Sequence, residues 1–175
     1  MRKVEVLDYQ PVWKAKFEEE ADRLRNVFRG ELLDLYHIGS TAIEGMKAKP
    51  IIDIMPVVKT LSAVDGYDEQ MKSIGYEPKG ENGIAGRRFY QKGGENRTFH
   101  VHVYEQNNPE IDRHLAFRDY LRSHSCALIQ YGELKQSLAK RYPYDIEAYI
   151  EGKAPLVQTI EKDALNWKGN RRNTK

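Results

Sequence analysis

The residue types best suited to chemistry lie in two short segments of the sequence. Asp53 is a single carboxylate inside an apolar run, and His100 and His102 flank a valine farther along the chain. If both segments are strands, the two imidazoles point to one face, because side chains alternate along a strand. If the strands are also neighbours, the three side chains could bind one metal ion or act as catalytic acid and base. A structural aspartate and two partly exposed polar histidines are the alternative interpretation.

A possible phosphate-binding turn precedes Asp53. Gly39, Ser40 and Thr41 follow a predicted strand, and Thr41 with Glu44 three places on fits a capping box, so we expect a short helix to begin there. The N-terminus of a helix presents backbone N–H groups and the positive end of its dipole to an anion. A capped helix without a ligand explains the same residues.

Several cations could complete a phosphate site. Arg87 and Arg88 are adjacent on a predicted strand and face opposite ways, so one could reach a phosphate while the other is a surface charge. Arg118 belongs to a basic stripe at helical spacing, a pattern that is usually a solvated face paired with acids. Lys49 lies shortly before Asp53 and is a further phosphate-binding candidate.

Composition excludes several classes of protein. The 175 residues are 31% charged and 40% hydrophobic, and the net charge of +2 gives no support to a nucleic-acid partner. Cys126 is the only cysteine, so an intrachain disulfide and a cysteine-rich zinc site are excluded. No signal-peptide core or membrane-spanning run is present, and we expect a cytoplasmic protein without a membrane partner. Walker, Rossmann and hydrolase motifs are absent.

Hydrophobic periodicity predicts the elements that position these residues. Helices are expected from Pro11 to Gly30 and over 61–74, strands over 32–38, 50–58, 76–79, 87–92 and 97–104, and three helices from Pro109 onward with breaks near Pro143 and at Gly152–Pro155. Strands followed by a helical C-terminal part predict an α+β fold with a mixed sheet. We expect residues 1–167 to form a single domain and the basic residues 168–175 to be a disordered tail.

Taken together, these segments resemble the GrpB family, a branch of the nucleotidyltransferase superfamily. The matching stretches are His37–Gly45 (HIGSTAIEG), Ala48–Ile54 (AKPIIDI), Gly80–Phe89 (GENGIAGRRF), Arg97–Val103 (RTFHVHV) and Arg113–Leu121 (RHLAFRDYL). The resemblance extends from the first helix to about residue 164. Related domains are also fused behind dephospho-CoA kinase in some bacteria, which points to nucleotide or coenzyme A metabolism.

The resemblance implies a nucleotidyltransferase-like mixed sheet with flanking helices. In such a fold, Gly39 and Ser40 would hold nucleotide phosphates and Asp53 would be the first metal-binding acid. The superfamily usually has a second acid two residues later, where this chain has Met55, and a third on a later strand, where it has His100 or His102. Losing carboxylates weakens the case for a magnesium pair, and one aspartate with two histidines suits a single manganese, iron or zinc ion better.

The leading hypothesis is a nucleotidyltransferase-like enzyme that acts on a nucleotide or another phosphate-bearing small molecule. It would use a divalent metal, magnesium or manganese or alternatively zinc, held by Asp53, His100 and His102, which would also be the catalytic residues. Phosphate would contact Gly39, Ser40, Thr41, Lys49, Arg87, Arg88 and Arg118. Two alternatives are a non-catalytic nucleotide-binding sensor, which Met55 favours, and a single-metal phosphohydrolase.

Overall fold

Five strands form one mixed sheet in the structure, a computed structural model that describes residues 2–173. They are β1 (Leu32–Ile38), β2 (Ile52–Val58), β3 (Tyr76–Pro78), β4 (Arg87–Lys92) and β5 (Phe99–Glu105). Their order across the sheet is β1-β2-β5-β4-β3, in which β2 and β5 are parallel and the other neighbouring pairs are antiparallel. The α+β class with a mixed sheet, predicted from the sequence, is confirmed.

Three helices accompany the strands: α1 (Val12–Phe28), α2 (Leu61–Val64) and α3 (Asp68–Ser73). The predicted first helix is confirmed, and it buries Trp13, Leu24 and Phe28 at helical spacing where it contacts β1 and β2. The predicted helix over 61–74 is instead two short helices joined by a tighter turn over 65–67. Gly66 lies in that turn and disfavours a continuous helix.

The C-terminal part of the chain is helical, as predicted. It contains α4 (Pro109–Ser123), α5 (Ser125–Arg141) and α6 (Ile146–Asn173). The break expected at Gly152–Pro155 is absent, because Pro155 lies on the exposed side of α6, where water can satisfy the carbonyl that the proline leaves free. Residues 168–173 continue α6, and residues 174 and 175 lie outside the described residues. The disordered tail expected over 168–175 stays a prediction.

The described chain divides into two compact units, and the single domain expected over residues 1–167 stays a prediction. The sheet unit comprises residues 12–38 and 51–111, and the helical unit comprises residues 2–11, 39–50 and 112–173. Each unit has its own buried side chains; those of the helical unit include Ile43, Met46, Leu121, Tyr131 and Ile160. Within residues 2–173, no helix is long and apolar enough to cross a membrane.

The helix predicted to begin at Thr41 is only a single tight turn of 3-10 type, Ser40–Ala42, and the capping box is wrong. Gly39 occupies the N-cap position with a φ of +70°, a left-handed conformation that favours glycine, so the N-cap residue itself has no side chain that could cap the turn. The guanidinium of Arg122 instead donates hydrogen bonds of 2.7 and 3.1 Å to the Ala42 carbonyl. A turn this short offers no helix dipole to a phosphate.

Replacing Glu44 with alanine therefore has almost no expected effect on stability. Glu44 is exposed and does not cap the turn, so we expect the free energy of unfolding to change by less than about 0.5 kcal/mol. In a capping box the Glu44 carboxylate would accept a hydrogen bond from a backbone N–H, and losing that bond would cost about 1 kcal/mol. Urea denaturation of the wild type and Glu44→Ala distinguishes the outcomes. A loss of about 1 kcal/mol in the free energy of unfolding would show that Glu44 does act in a capping box.

Candidate functional site

Parallel pairing of β2 with β5 brings the predicted carboxylate and imidazoles together. Asp53 is the register partner of His100. Nε2 of His102 lies 3.0 Å from Oδ1 of Asp53, and Nδ1 of His100 lies 3.6 Å from the same oxygen. The Asp53 side chain keeps 28% of its surface exposed, so a small molecule or ion can reach the carboxylate.

Arg87 determines which nitrogen of His102 carries the proton. Nη1 of Arg87 lies 3.3 Å from Nδ1 of His102, and a guanidinium can only donate hydrogen bonds. Nδ1 of His102 must therefore be the acceptor, which leaves the proton on Nε2, where it is donated to Asp53. Arg87 is itself held by the carbonyls of Glu81 and Asn82. The three side chains form a directed chain of hydrogen bonds from Arg87 through His102 to Asp53.

The two imidazoles keep Asp53 ionised. Burial alone raises the pKa of the Asp53 carboxyl, but the interactions with His100 and His102 outweigh burial and hold that pKa well below its usual range. Phe89 of β4 packs against both rings, with centroid distances of 5.3 Å to His100 and 5.2 Å to His102. The sheet unit thus presents one carboxylate that is charged at neutral pH and supported by its neighbours.

The residues present do not fit a metal centre in this arrangement. Both ring nitrogens of His102 are used by Arg87 and Asp53, which leaves Asp53 and His100 as available donors. Two donors are fewer than the three protein ligands of a catalytic zinc site, and only one of them, the Asp53 carboxylate, is the oxygen donor that magnesium prefers. Among residues 2–173, no three or more His, Cys, Asp or Glu side chains are arranged to hold a metal ion. Metal binding at Asp53 stays a prediction.

Ser40, predicted to contact phosphate, lies against a buried lysine of the helical unit. Nζ of Lys135, on α5, donates a hydrogen bond of 2.8 Å to Oγ of Ser40. The same ammonium position is 4.3 Å from the centre of the Tyr131 ring, and Lys135 as a whole is only 2% exposed. In the described part of the chain, no carboxylate forms an ion pair with Lys135.

Two further lysines lie close enough to act on Lys135. Nζ of Lys49 and Nζ of Lys153 each lie 5.4 Å from the centre of the Tyr149 ring. Burial lowers the pKa of the Lys135 ammonium, and the positive charges of Lys153 and Lys49 lower it further, to about 6. We call Lys49, Lys135 and Lys153 the lysine cluster; its concentration of positive charge beside a serine hydroxyl is suited to an anion.

The other predicted phosphate contacts are placed elsewhere. Arg88 faces away from Arg87, as expected for neighbours on a strand, and its Nε donates a 2.7 Å hydrogen bond to Asp65. Arg118 donates a 2.9 Å hydrogen bond to the adjacent Asp119. The side chain of Thr41 is buried within its own unit. Of the sequence-predicted contacts, Ser40 accepts a hydrogen bond from Lys135, and Lys49 acts on Lys135 through its charge.

Lys135 and Lys153 were missed from the sequence. The signal for Lys135 lay in the periodicity of α5, where Tyr131, Lys135 and Leu138 are buried at spacings of four and three residues. A lysine on the apolar face of an amphipathic helix is unusual, because burying its charge is costly. Lys153 carried no comparable signal, since it lies beside the expected helix break.

Known proteins resemble this chain in sequence and in structure. The sequence model for the family described as GrpB protein matches residues 3–163. The UPF0157 protein YqkA of Bacillus subtilis is 53% identical over 98% of this chain and 50% of its own length, so the chain spans half of that relative. The crystal structure of the conserved protein GrpB from Enterococcus faecalis has a TM-score of 0.91 and 43% identity, covering 94% of this chain and 99% of that one. Cid1 in complex with the UTP analogue UMPNPP has a TM-score of 0.46 and 14% identity, covering 74% and 43%.

Proposed function

The chain belongs to the GrpB family, and we propose that it binds a nucleotide or another phosphate-bearing small molecule at the lysine cluster. The observation that carries this proposal is the 2.8 Å hydrogen bond from buried Lys135 to Ser40, with Lys49 and Lys153 nearby. A cytoplasmic location stays a prediction.

Phosphate is the ligand chemistry that this arrangement favours. Lysine ammonium groups and a serine hydroxyl are both donors to phosphate oxygens, and hydrogen bonds from charged donors are the stronger kind. One lysine bonded to the Ser40 hydroxyl and two more whose charges reach it exceed what a single carboxylate ligand needs, which supports a ligand with several negative charges. Of the functions predicted from the sequence, the non-catalytic nucleotide-binding sensor is therefore the one that the geometry supports best, because it requires no metal.

Nucleotidyl transfer is the second candidate, and Asp53 is the observation that favours it. The carboxylate is ionised, partly exposed and bordered by two imidazoles, which are groups that hold or move protons in catalysis. A divalent metal held at Asp53 would supply charge stabilisation for phosphoryl chemistry. A single-metal phosphohydrolase is a variant of this candidate. Analysis of the reaction products would distinguish hydrolysis from nucleotidyl transfer.

A thermal-shift panel tests both candidates. The ligands are ATP, UTP, inorganic pyrophosphate and coenzyme A precursors, each with EDTA, magnesium, manganese or zinc. A ligand at a hundred times its dissociation constant adds about 2.7 kcal/mol to the free energy of unfolding, which raises the melting temperature of a chain this size by roughly 5–10 °C. We expect at least one phosphate compound to do so in EDTA.

Two variants provide the controls for the panel. The shift should fall to about a third in Lys135→Met and be kept in Lys140→Met, because Lys140 is an exposed lysine of the same helix. A shift that requires metal and disappears in Asp53→Asn would favour the enzyme instead. If no phosphate compound shifts the melting temperature under any metal condition, binding at the lysine cluster is wrong.

A further inference from the structure

The lysine cluster has an electrostatic property that ordinary phosphate sites lack. Its central amine is the most buried of the three lysines and has two cations as its charged neighbours. We infer that Lys135 is a neutral amine in the free protein and that a phosphate ligand binds there together with one proton. This inference rests on the proposed function and concerns how that same site is regulated.

Without a ligand, the surroundings of Lys135 favour the neutral amine over the ammonium ion. The amine is 2% exposed, so it has lost most of the water that stabilises an ammonium. Its partners are the hydroxyl of Ser40 and the face of the Tyr131 ring, neither of which carries a full negative charge. A hydroxyl and an aromatic ring compensate poorly for the burial of a cation.

The charged groups that face Lys135 come from two other segments. Lys49 precedes β2 and Lys153 is on α6, and both repel a proton on Lys135. The ring of Tyr149 lies near both of these lysines, and burial raises the pKa of its hydroxyl above the ordinary value, so Tyr149 contributes no charge near neutral pH. Burial and these two charges together lower the pKa of the Lys135 amine to about 6.

A bound phosphate would change which protonation state of Lys135 is favoured. An anion beside Ser40 favours the ammonium form of Lys135, because an opposite charge within a few ångströms stabilises the charged state. The proton comes from the buffer and is transferred to Nζ, and no covalent bond forms or breaks. Affinity for the anion should therefore rise as the pH falls, by up to about tenfold per pH unit while the free amine stays neutral.

Calorimetry at pH 8 measures the proton directly. ATP in EDTA is the probe, because its terminal phosphate is already almost fully ionised at this pH and takes up little proton itself. The titration is performed in Tris and in HEPES, whose ionisation enthalpies differ. We expect the difference between the observed enthalpies to correspond to uptake of nearly one proton for each ATP bound, and the affinity to increase severalfold at pH 7.

Two variants make the result specific to Lys135. Lys135→Arg carries a permanent charge and should bind ATP with no proton uptake, and Lys140→Arg, at the exposed position on α5, should behave as the unaltered protein. If Lys135→Arg does not fold, as judged by circular dichroism, Lys135→Met should bind weakly with no pH dependence from this site. ATP binding with equal enthalpies in both buffers would overturn the inference and leave the proposed function intact, whereas absence of binding would overturn both.

Discussion

Replacing Lys135 with methionine is expected to weaken ATP binding by about 30-fold while making the protein more stable. The loss of affinity follows because a hydrogen bond to a charged group contributes roughly 2 kcal/mol. The gain in stability follows because the unfolded chain protonates this lysine at pH 7 and the folded chain does not. Methionine fills a similar volume without a charge to bury.

The size and sign of the stability change can be followed with pH. The folded pKa of Lys135, about 6, is below the ordinary value of 10.5, so the unfolded state binds more protons between these values and wild-type stability rises with pH across that range. We expect Lys135→Met to raise the free energy of unfolding by about 3 kcal/mol at pH 7, and this advantage should shrink towards pH 10.

Urea denaturation at pH 7, 8.5 and 10, paired with calorimetry of ATP binding, makes the test. Lys140→Met is the matched control, since it removes an exposed lysine from the same helix and should change neither quantity appreciably. A variant that is less stable and still binds ATP normally would show that Lys135 is a structural residue.

Replacing Asp53 with asparagine is the second large expected effect. Asparagine keeps the shape of the side chain but removes the charge that accepts the hydrogen bond from His102 and attracts His100. Its amide also presents N–H donors towards two imidazoles. We expect the free energy of unfolding at pH 7 to fall by about 2 kcal/mol, the usual contribution of a hydrogen bond to a charged group.

The pH dependence of this variant has a defined sign. Because the folded pKa of Asp53 is held below its unfolded value near 4, its stabilising contribution is complete above about pH 4 and is lost as the pH falls further. The difference between wild type and Asp53→Asn should therefore narrow as the pH falls below 4. Chemical denaturation at pH 7, 5 and 3 measures it.

Asp34→Asn is a suitable control for the same experiment, since Asp34 is an exposed carboxylate on the neighbouring strand β1. It should reproduce neither the loss at neutral pH nor the narrowing in acid. ATP binding in EDTA should survive in Asp53→Asn, because the proposed phosphate contacts are lysines. Loss of ATP binding together with a requirement for magnesium would favour the nucleotidyltransferase interpretation.

The elements of the sheet unit could largely be predicted from the sequence, and so could the side chains of its candidate site, Asp53, His100 and His102. Alternation placed Asp53, His100 and His102 on defined faces of their strands. It could not show that β2 and β5 are adjacent and parallel, because strand order depends on contacts between distant parts of the chain. Nor could it assign the direction of the hydrogen bonds through His102, which depends on the position of Arg87.

The lysine cluster was less predictable for a physical reason. Lys135 is far from Ser40 in sequence, and its burial depends on tertiary packing around α5 rather than on local preference. The predicted helix at Thr41 failed in the same way. A capping pattern was present, but the tertiary contact from Arg122 to the Ala42 carbonyl holds the segment as a single turn.

The parallel pairing of β2 with β5 also has a kinetic consequence. A parallel pair needs a long connection, and here the chain between the two strands includes β3, β4 and two short helices. Asp53 and His102 are 49 residues apart, so their contact closes a large loop. The entropic cost of closing that loop must be met before the strand pairing of the completed sheet can compensate for it. The carboxylate–imidazole contact should consequently be among the last native interactions to form during refolding, and its appearance would mark completion of the sheet.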